Sequence, residues 1–279
     1  MMITETKAVI TRLPLVAWAR LGLLISLAVA INLMTVAYAQ QTHGYKVTAT
    51  MPQPRDTFVQ GLQIVDGQLY VGTGQYGKSR LLRYNMADGT LDSEKLLDRS
   101  LFGEGITVLN DKIYQLTWKS RIALVYNKTD FKGINWFRLP GEGWGITNNT
   151  KMLIYSDGSD KLHFLSPQTL RISHSITVSE NGKNINHLNE LEWINGKIWA
   201  NIWTSNRIVI IDPDSGNITA SVDLAGLLPD NERRPNTDVL NGIAQNLDDG
   251  TIWVTGKYWP RLYQIELVPP LPELPRDPL

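Results

Sequence analysis

Apolar and polar residues alternate with period two through most of the chain after residue 57, in short runs closed by turn residues. Five segments share one form: an alternating apolar strand, a brief turn, then a second strand ending in a polar turn. They read "GQLYVGTGQYGKSRLLRYNMADG", "DKIYQLTWKSRIALVYNKTDF", "KMLIYSDGSDKLHFLSPQTL", "GKIWANIWTSNRIVIIDPDSG" and "GTIWVTGKYWPRLYQIEL". Period-two alternation, β-branched and aromatic residues, and bounding D-G, S-G and N-G pairs predict antiparallel hairpins. No sustained 3.6-residue period follows the first 39 residues, so helices are expected to be scarce.

Aligned with one another, the hairpins line up two columns. One ends the first strand of each: Gly74, Trp118, Asp157, Trp203 and Lys257, with gaps of 44, 39, 46 and 54 residues. The other lies about ten residues ahead, in "FVQGL", "FGEGI", "GWGI", "LNEL" and "LNGI", where Gln60, Glu104, Trp144, Asn189 and Asn241 align. A glycine follows each of these, except that Glu190 follows Asn189. A strand ahead of each hairpin, repeated five times at this spacing, predicts an all-β, five-bladed β-propeller whose innermost strands line a central channel. Glycine beside each aligned position would let converging inner strands meet closely. Residues near Tyr45–Met51 are expected to complete the last blade. A β-sandwich is the alternative, but it gives no reason for two columns in register.

Composition narrows the chemistry. There is no cysteine, so disulfides, zinc-thiolate sites and cysteine nucleophiles are excluded. The four histidines, His43, His163, His174 and His187, lack the spacing of a zinc pair. Basic and acidic residues number 27 each. Setting aside Lys7, Arg12, Arg20 and Glu5 leaves residues 40–279 at net −2, with no basic stripe to neutralise phosphates, and nucleic acid is not an expected partner.

Both termini read separately from the body. Three basic residues precede the uncharged "LGLLISLAVAINLMTVAYA", and Ala37-Tyr38-Ala39 has the form of a cleavage site, so residues 1–39 are expected to be a signal peptide. The uncharged run of 19 residues would alternatively serve as an uncleaved N-terminal anchor, the only route by which a membrane enters the picture. Either way the body, residues 40–268, is expected outside the cytoplasm, in a bacterial periplasm or secreted. Cleavage after Ala39 would expose Gln40-Gln41 as the new N-terminus. Residues 269–279 read as a Pro-rich tail.

On a propeller, the columns would bring amides, a carboxylate, an ammonium and aromatic walls to one mouth of the channel, the character of a small-molecule or peptide-end site. Each residue taken singly has a plainer reading: indoles as core filler, Glu104 as an exposed turn carboxylate, Lys257 as a solvated strand end, Asp157-Gly158 as a hairpin turn. Their recurrence in register is what favours a site.

At these residues the sequence resembles the plant and bacterial type of glutaminyl-peptide cyclotransferase. The resemblance rests on "FVQGL", "FGEGITVLNDKIYQLTW", "GWGI", "YSDGS", "LNELEWINGKIWANIW", "DVLNGIA" and "VTGKYWPRLYQIEL", in order from Phe58 to Leu267. It departs in "FVQGL", where the family often has "FTQGL"; Phe58 and Gln60 are kept. The resemblance implies a five-bladed propeller and conversion of an N-terminal Gln to pyroglutamate with release of ammonia. It implies Glu104, Lys257 and Asn189 as catalytic residues, and Phe58, Gln60, Phe102, Trp118, Trp144 and Trp203 around the substrate. It implies no cofactor for the chemistry, though members of the family hold a structural calcium in the channel, for which the sequence assigns no ligands. The expected partners are peptides and proteins that begin with Gln, and a monomer is expected. The competing reading is a non-catalytic exported propeller that binds a sugar or a protein partner. A hydrolase has no Ser-His-Asp arrangement or metal cluster to recommend it.

Overall fold

A computed structural model describes residues 41–269 and 271. The expected leader, the Gln40 end and most of the C-terminal tail lie outside the described residues. Among the described residues are 22 strands, one 3₁₀ turn at Asp230–Glu232 and no α-helix, so the fold is all-β as expected.

The chain opens with β1 (Gln41–Pro52). Strands β2 (Val59–Val65), β3 (Gln68–Thr73), β4 (Arg80–Asn85) and β5 (Leu91–Leu96) form one four-stranded antiparallel sheet. β6 (Gly103–Leu109), β7 (Lys112–Thr117), β8 (Ile122–Asn127) and β9 (Gly133–Arg138) form a second. β10 (Ile146–Asn148), β11 (Leu153–Ser156), β12 (Lys161–Leu165) and β13 (Ile172–Thr177) form a third, followed by a small hairpin of β14 (Ser179–Glu180) and β15 (Lys183–Asn184). The remaining strands are β16 (Leu188–Ile194), β17 (Lys197–Ile202), β18 (Arg207–Ile211), β19 (Ile218–Asp223), β20 (Leu240–Gln245), β21 (Ile252–Gly256) and β22 (Arg261–Val268). They join through β1 into one eight-stranded sheet, ordered β16-β17-β18-β19-β1-β22-β21-β20.

β1 does two jobs. Residues 41–43 run parallel to β19, and residues 44–52 run antiparallel to β22, with Tyr45 opposite Leu267 and Met51 opposite Leu262. The segment expected to complete the last sheet therefore does so, and its start also ties that sheet to the preceding one. The tight turns follow the sequence signals: at Asp66-Gly67 and Asn195-Gly196 all four residues have positive φ, which D-G and N-G pairs adopt with little strain.

In the three four-stranded sheets burial falls from the first strand to the last. β6 and β20 are buried throughout, whereas β5, β9 and β13 are largely exposed. The apolar clusters fill the gaps between consecutive sheets: Tyr70, Leu81 and Ile106 join the first and second, Leu116, Ile146 and Tyr155 the second and third. Further on, Ile154, Leu191 and Ile198 pack together, then Trp199, Leu240 and Val254, and finally Ala244 and Trp253 with Val59 and Leu62 of the first sheet. The first strands follow the same order, each touching the next from β2 through β6, β10, β16 and β20 and back to β2.

Glycine makes that convergence possible. A Cβ on Gly61 would lie 2.3 Å from the Ile106 amide nitrogen, and one on Gly145 would lie 2.0 Å from the Asn189 carbonyl oxygen. Where Glu190 replaces glycine, its carboxylate reaches across the ring and accepts hydrogen bonds from the amides of Leu62 (3.2 Å) and Ile243 (2.9 Å).

Candidate active site

The aligned column ahead of each hairpin sits in an irregularity of the strand ladder. Pairing between first and second strands slips between Val59 and Gly61, Gly103 and Ile106, Leu188 and Leu191, and Leu240 and Ile243. Gln60, Glu104, Asn189 and Asn241 fall inside those slips. A bulge takes a residue out of ladder pairing and re-aims its side chain. On the facing strand ends, the amides of Gly74, Trp118, Trp203 and Lys257 donate across to the carbonyls of Phe58, Phe102, His187 and Val239 at 2.9–3.0 Å. Backbone pairing therefore holds the two columns side by side.

The nine residues that the family resemblance implies for the site line one cavity of about 460 Å³. Thr204, Asp238 and Val239 complete its lining. Asp157 and Asn241 do not line it. The Asp157 carboxylate accepts from the Ser159 amide at 3.0 Å and contacts His163 Nε2 at 3.1 Å, so it serves its own turn. Asn241 stands behind the wall, its Nδ2 donating to the Val59 carbonyl (3.0 Å) and to Gln60 Oε1 (3.3 Å).

The walls are aromatic. Phe102 meets Phe58 and Trp118 edge to face at 6.0 and 5.5 Å, and Trp144 meets Trp203 at 5.7 Å. Glu104 is 5% exposed, and burial pushes its carboxyl well above the usual carboxylate range; the Lys257 ammonium opposes this and the Glu142 carboxylate adds to it. Lys257 is equally buried, with Nζ 4.9 Å from the centre of the Phe58 ring. Burial lowers its pKa, against the pull of Glu104 and Asp238. Asn189 lines the cavity, and its Oδ1 is buried with no hydrogen-bond partner.

A family model described as glutamine cyclotransferase matches residues 21–267. The chain belongs to the glutamine cyclotransferase family. It is 36% identical over 228 residues to a glutaminyl-peptide cyclotransferase of Arabidopsis thaliana, covering 80% of this chain and 71% of that protein. Its fold is similar to the crystal structure of Myxococcus xanthus glutaminyl cyclase, with a TM-score of 0.76 and 29% identity over 82% of this chain and 98% of the other.

Sequence reasoning missed Glu142, whose Oε2 accepts hydrogen bonds from the indole nitrogens of both Trp118 (2.7 Å) and Trp144 (3.0 Å). A signal was available: Phe58, Phe102, Glu142, His187 and Val239 form a third column, two residues before the aligned polar one. Thr204, in a turn, and Asp238, in the loop before β20, adjoin Trp203 and Val239 but belong to none of the columns. The structural calcium implied for glutamine cyclotransferases is less well matched. Besides Glu104, the buried carboxylates on the first strands are Glu190 and Glu192, and both already accept hydrogen bonds, Glu192 from the Gln245 amide at 3.1 Å and from Thr147 Oγ1 at 3.3 Å. Among the described residues no three His, Cys, Asp or Glu side chains cluster as a metal would require. This donor set does not fit a carboxylate-built calcium cage, and no step below runs through a metal.

Proposed function

We propose that this glutamine cyclotransferase closes the N-terminal Gln of peptides and proteins into pyroglutamate and releases ammonia, with Glu104 carrying the proton. The observation that supports this is the convergence of one buried acid, one buried cation and three indoles on a single cavity. The α-amine nitrogen bonds to the carbonyl carbon of its own side-chain carboxamide, whose oxygen takes up the negative charge. Glu104 accepts the proton shed by the attacking nitrogen and delivers it to the carboxamide nitrogen. The C–N bond then breaks, ammonia leaves, and the oxyanion collapses to the lactam carbonyl. Glu104 ends as it began, and the raised affinity of its carboxyl for a proton suits both halves of the transfer.

Because nucleophile and electrophile belong to one residue, much of the work is holding the folded-back rotamer. The aromatic walls enclose the side chain and strip it of water. Asn189 Oδ1, buried without a partner, accepts from the amine. Gln60, its Oε1 engaged by Asn241, presents its amide nitrogen to the carboxamide oxygen. Lys257 offsets the charge that develops on that oxygen.

The ring of contacts from β2 through β20 and back supports a five-bladed propeller, with the eight-stranded sheet as two blades joined by β1. With its inner edges covered, the propeller acts as a monomer. The basic, apolar N-terminal pattern supports export.

The test is ammonia release from a Gln-initiated peptide. Glu104→Gln should lower kcat by roughly 10²–10⁴-fold, the range of a general acid–base group. Undiminished turnover in Glu104→Gln would remove it from the mechanism, and a wild-type chain that releases no ammonia from any Gln-initiated peptide overturns the reading.

A further inference from the structure

The loop from β9 to β10 places a carboxylate where two cavity walls meet. Gly143 packs tightly on the end of β7: its amide donates to the Thr117 carbonyl at 3.2 Å, and a Cβ there would lie 2.8 Å from that of Leu116. This contact fixes Glu142 between Trp118, just after β7, and Trp144, just before β10. A single oxygen, Oε2, then receives an indole N–H from each of two different sheets. Trp144 also lies against the Asp157-Gly158 turn, where a Cβ on Gly158 would meet its ring at 2.6 Å, and its far edge meets Trp203. An indole can rotate about two side-chain bonds, and stacking alone tolerates several tilts; two hydrogen bonds to a charged acceptor select one.

We propose that Glu142 is a positioning residue for the cyclisation: its carboxylate clamps the indoles of Trp118 and Trp144 as fixed cavity walls. The proposal rests on the function read above. Charged groups facing this region are Glu104 and Lys257 within the cavity, Asp238 at its rim, Lys119 with Nζ 4.2 Å from the Trp118 ring centre, and the Asp157–His163 pair beside Gly141. Among them, Glu142 acts on Glu104 with like charge and so favours its protonated form, whereas Lys257 favours the ionised form.

Two variants separate position from charge. Glu142→Gln keeps an oxygen acceptor without the charge; Glu142→Leu removes both. For Glu142→Leu, kcat/KM should fall by about tenfold or more as two hydrogen bonds to a charged acceptor are lost. For Glu142→Gln, KM should stay within about threefold of wild type, neutral hydrogen bonds being weaker but present. Its acid limb of activity should move to lower pH, because Glu104 loses a like-charged neighbour and ionises more readily. A second measurement is independent of turnover: the indole N–H resonances of Trp118 and Trp144, assigned with Trp→Phe variants, should shift in Glu142→Leu. Unmoved resonances overturn the clamp. Shifted resonances with wild-type kcat/KM and an unmoved pH profile also overturn the proposal, since the contact would then be structural only. A wild-type chain inactive on Gln-peptides would sink the functional reading while the resonances still decide the clamp.

Discussion

Replacing Gly145 by alanine tests the link between fold and site most directly. Gly145 follows Trp144 at the head of β10, and its α-carbon faces the backbone of β16. An added Cβ would sit 2.0 Å from the Asn189 carbonyl oxygen and 2.8 Å from the Glu190 α-carbon, where ordinary contact begins at 3.4 Å. Neither neighbour is the flexible end of a side chain, so one backbone must retreat by roughly an ångström. Overpacking of this kind costs about 1–3 kcal/mol, which lowers Tm by roughly 2–12 °C in a domain of this size. The activity should suffer more than the stability. The displaced strand carries Asn189, which lines the cavity and is proposed to bind the substrate amine, and a 1 Å misplacement of a reacting geometry costs about 10²-fold. The comparison is Gly133→Ala, on the exposed edge strand β9, where the added Cβ meets nothing within 4 Å and Tm should change little. Thermal unfolding and ammonia release, measured on both variants and wild type, decide the matter. Wild-type Tm and kcat/KM in Gly145→Ala would refute the backbone-to-backbone approach of the inner strands, and with it the account of why glycine recurs there.

Other expectations follow from the buried charges and the walls. Lys257→Met should lower kcat by about 10²–10³-fold through loss of oxyanion stabilisation; because the ammonium holds the Glu104 pKa down, the acid limb of activity should also move to higher pH, the reverse of Glu142→Gln. Burial raises the Glu192 carboxyl from its ordinary 4.5 to about 8. The folded chain therefore holds a proton that the unfolded chain loses, and stability present below pH 4.5 declines as pH rises through about 8, by on the order of a few kcal/mol. Glu192→Gln should flatten that slope in a plot of Tm against pH; an unchanged slope would clear Glu192 of responsibility. Trp203→Ala, at the half-open edge of the cavity, should raise KM about tenfold, the scale of ~1.4 kcal/mol of lost aromatic contact, with kcat nearly unchanged in a steady-state assay.

Much of this was legible in the sequence because strand pairing inside a hairpin is local. Alternation and turn residues set which side chains share a face, and repetition of the hairpin set the two columns from which most of the cavity residues come. Family resemblance then singled out nine residues, and they do meet. Tertiary structure decided what no local pattern encodes. Glu190 stands in the glycine column as an exception; its meaning emerges only when its carboxylate is seen to reach the Leu62 amide, 128 residues away in sequence. Glu142 looks like a loop acid between two glycines until Trp118 and Trp144 converge on one of its oxygens. β1 changes from parallel to antiparallel pairing partway along, a switch its own residues do not announce. The reason is physical. A period of two selects a face, but which strands of distant hairpins meet is decided by how the sheets pack on one another, and that geometry belongs to the assembled chain.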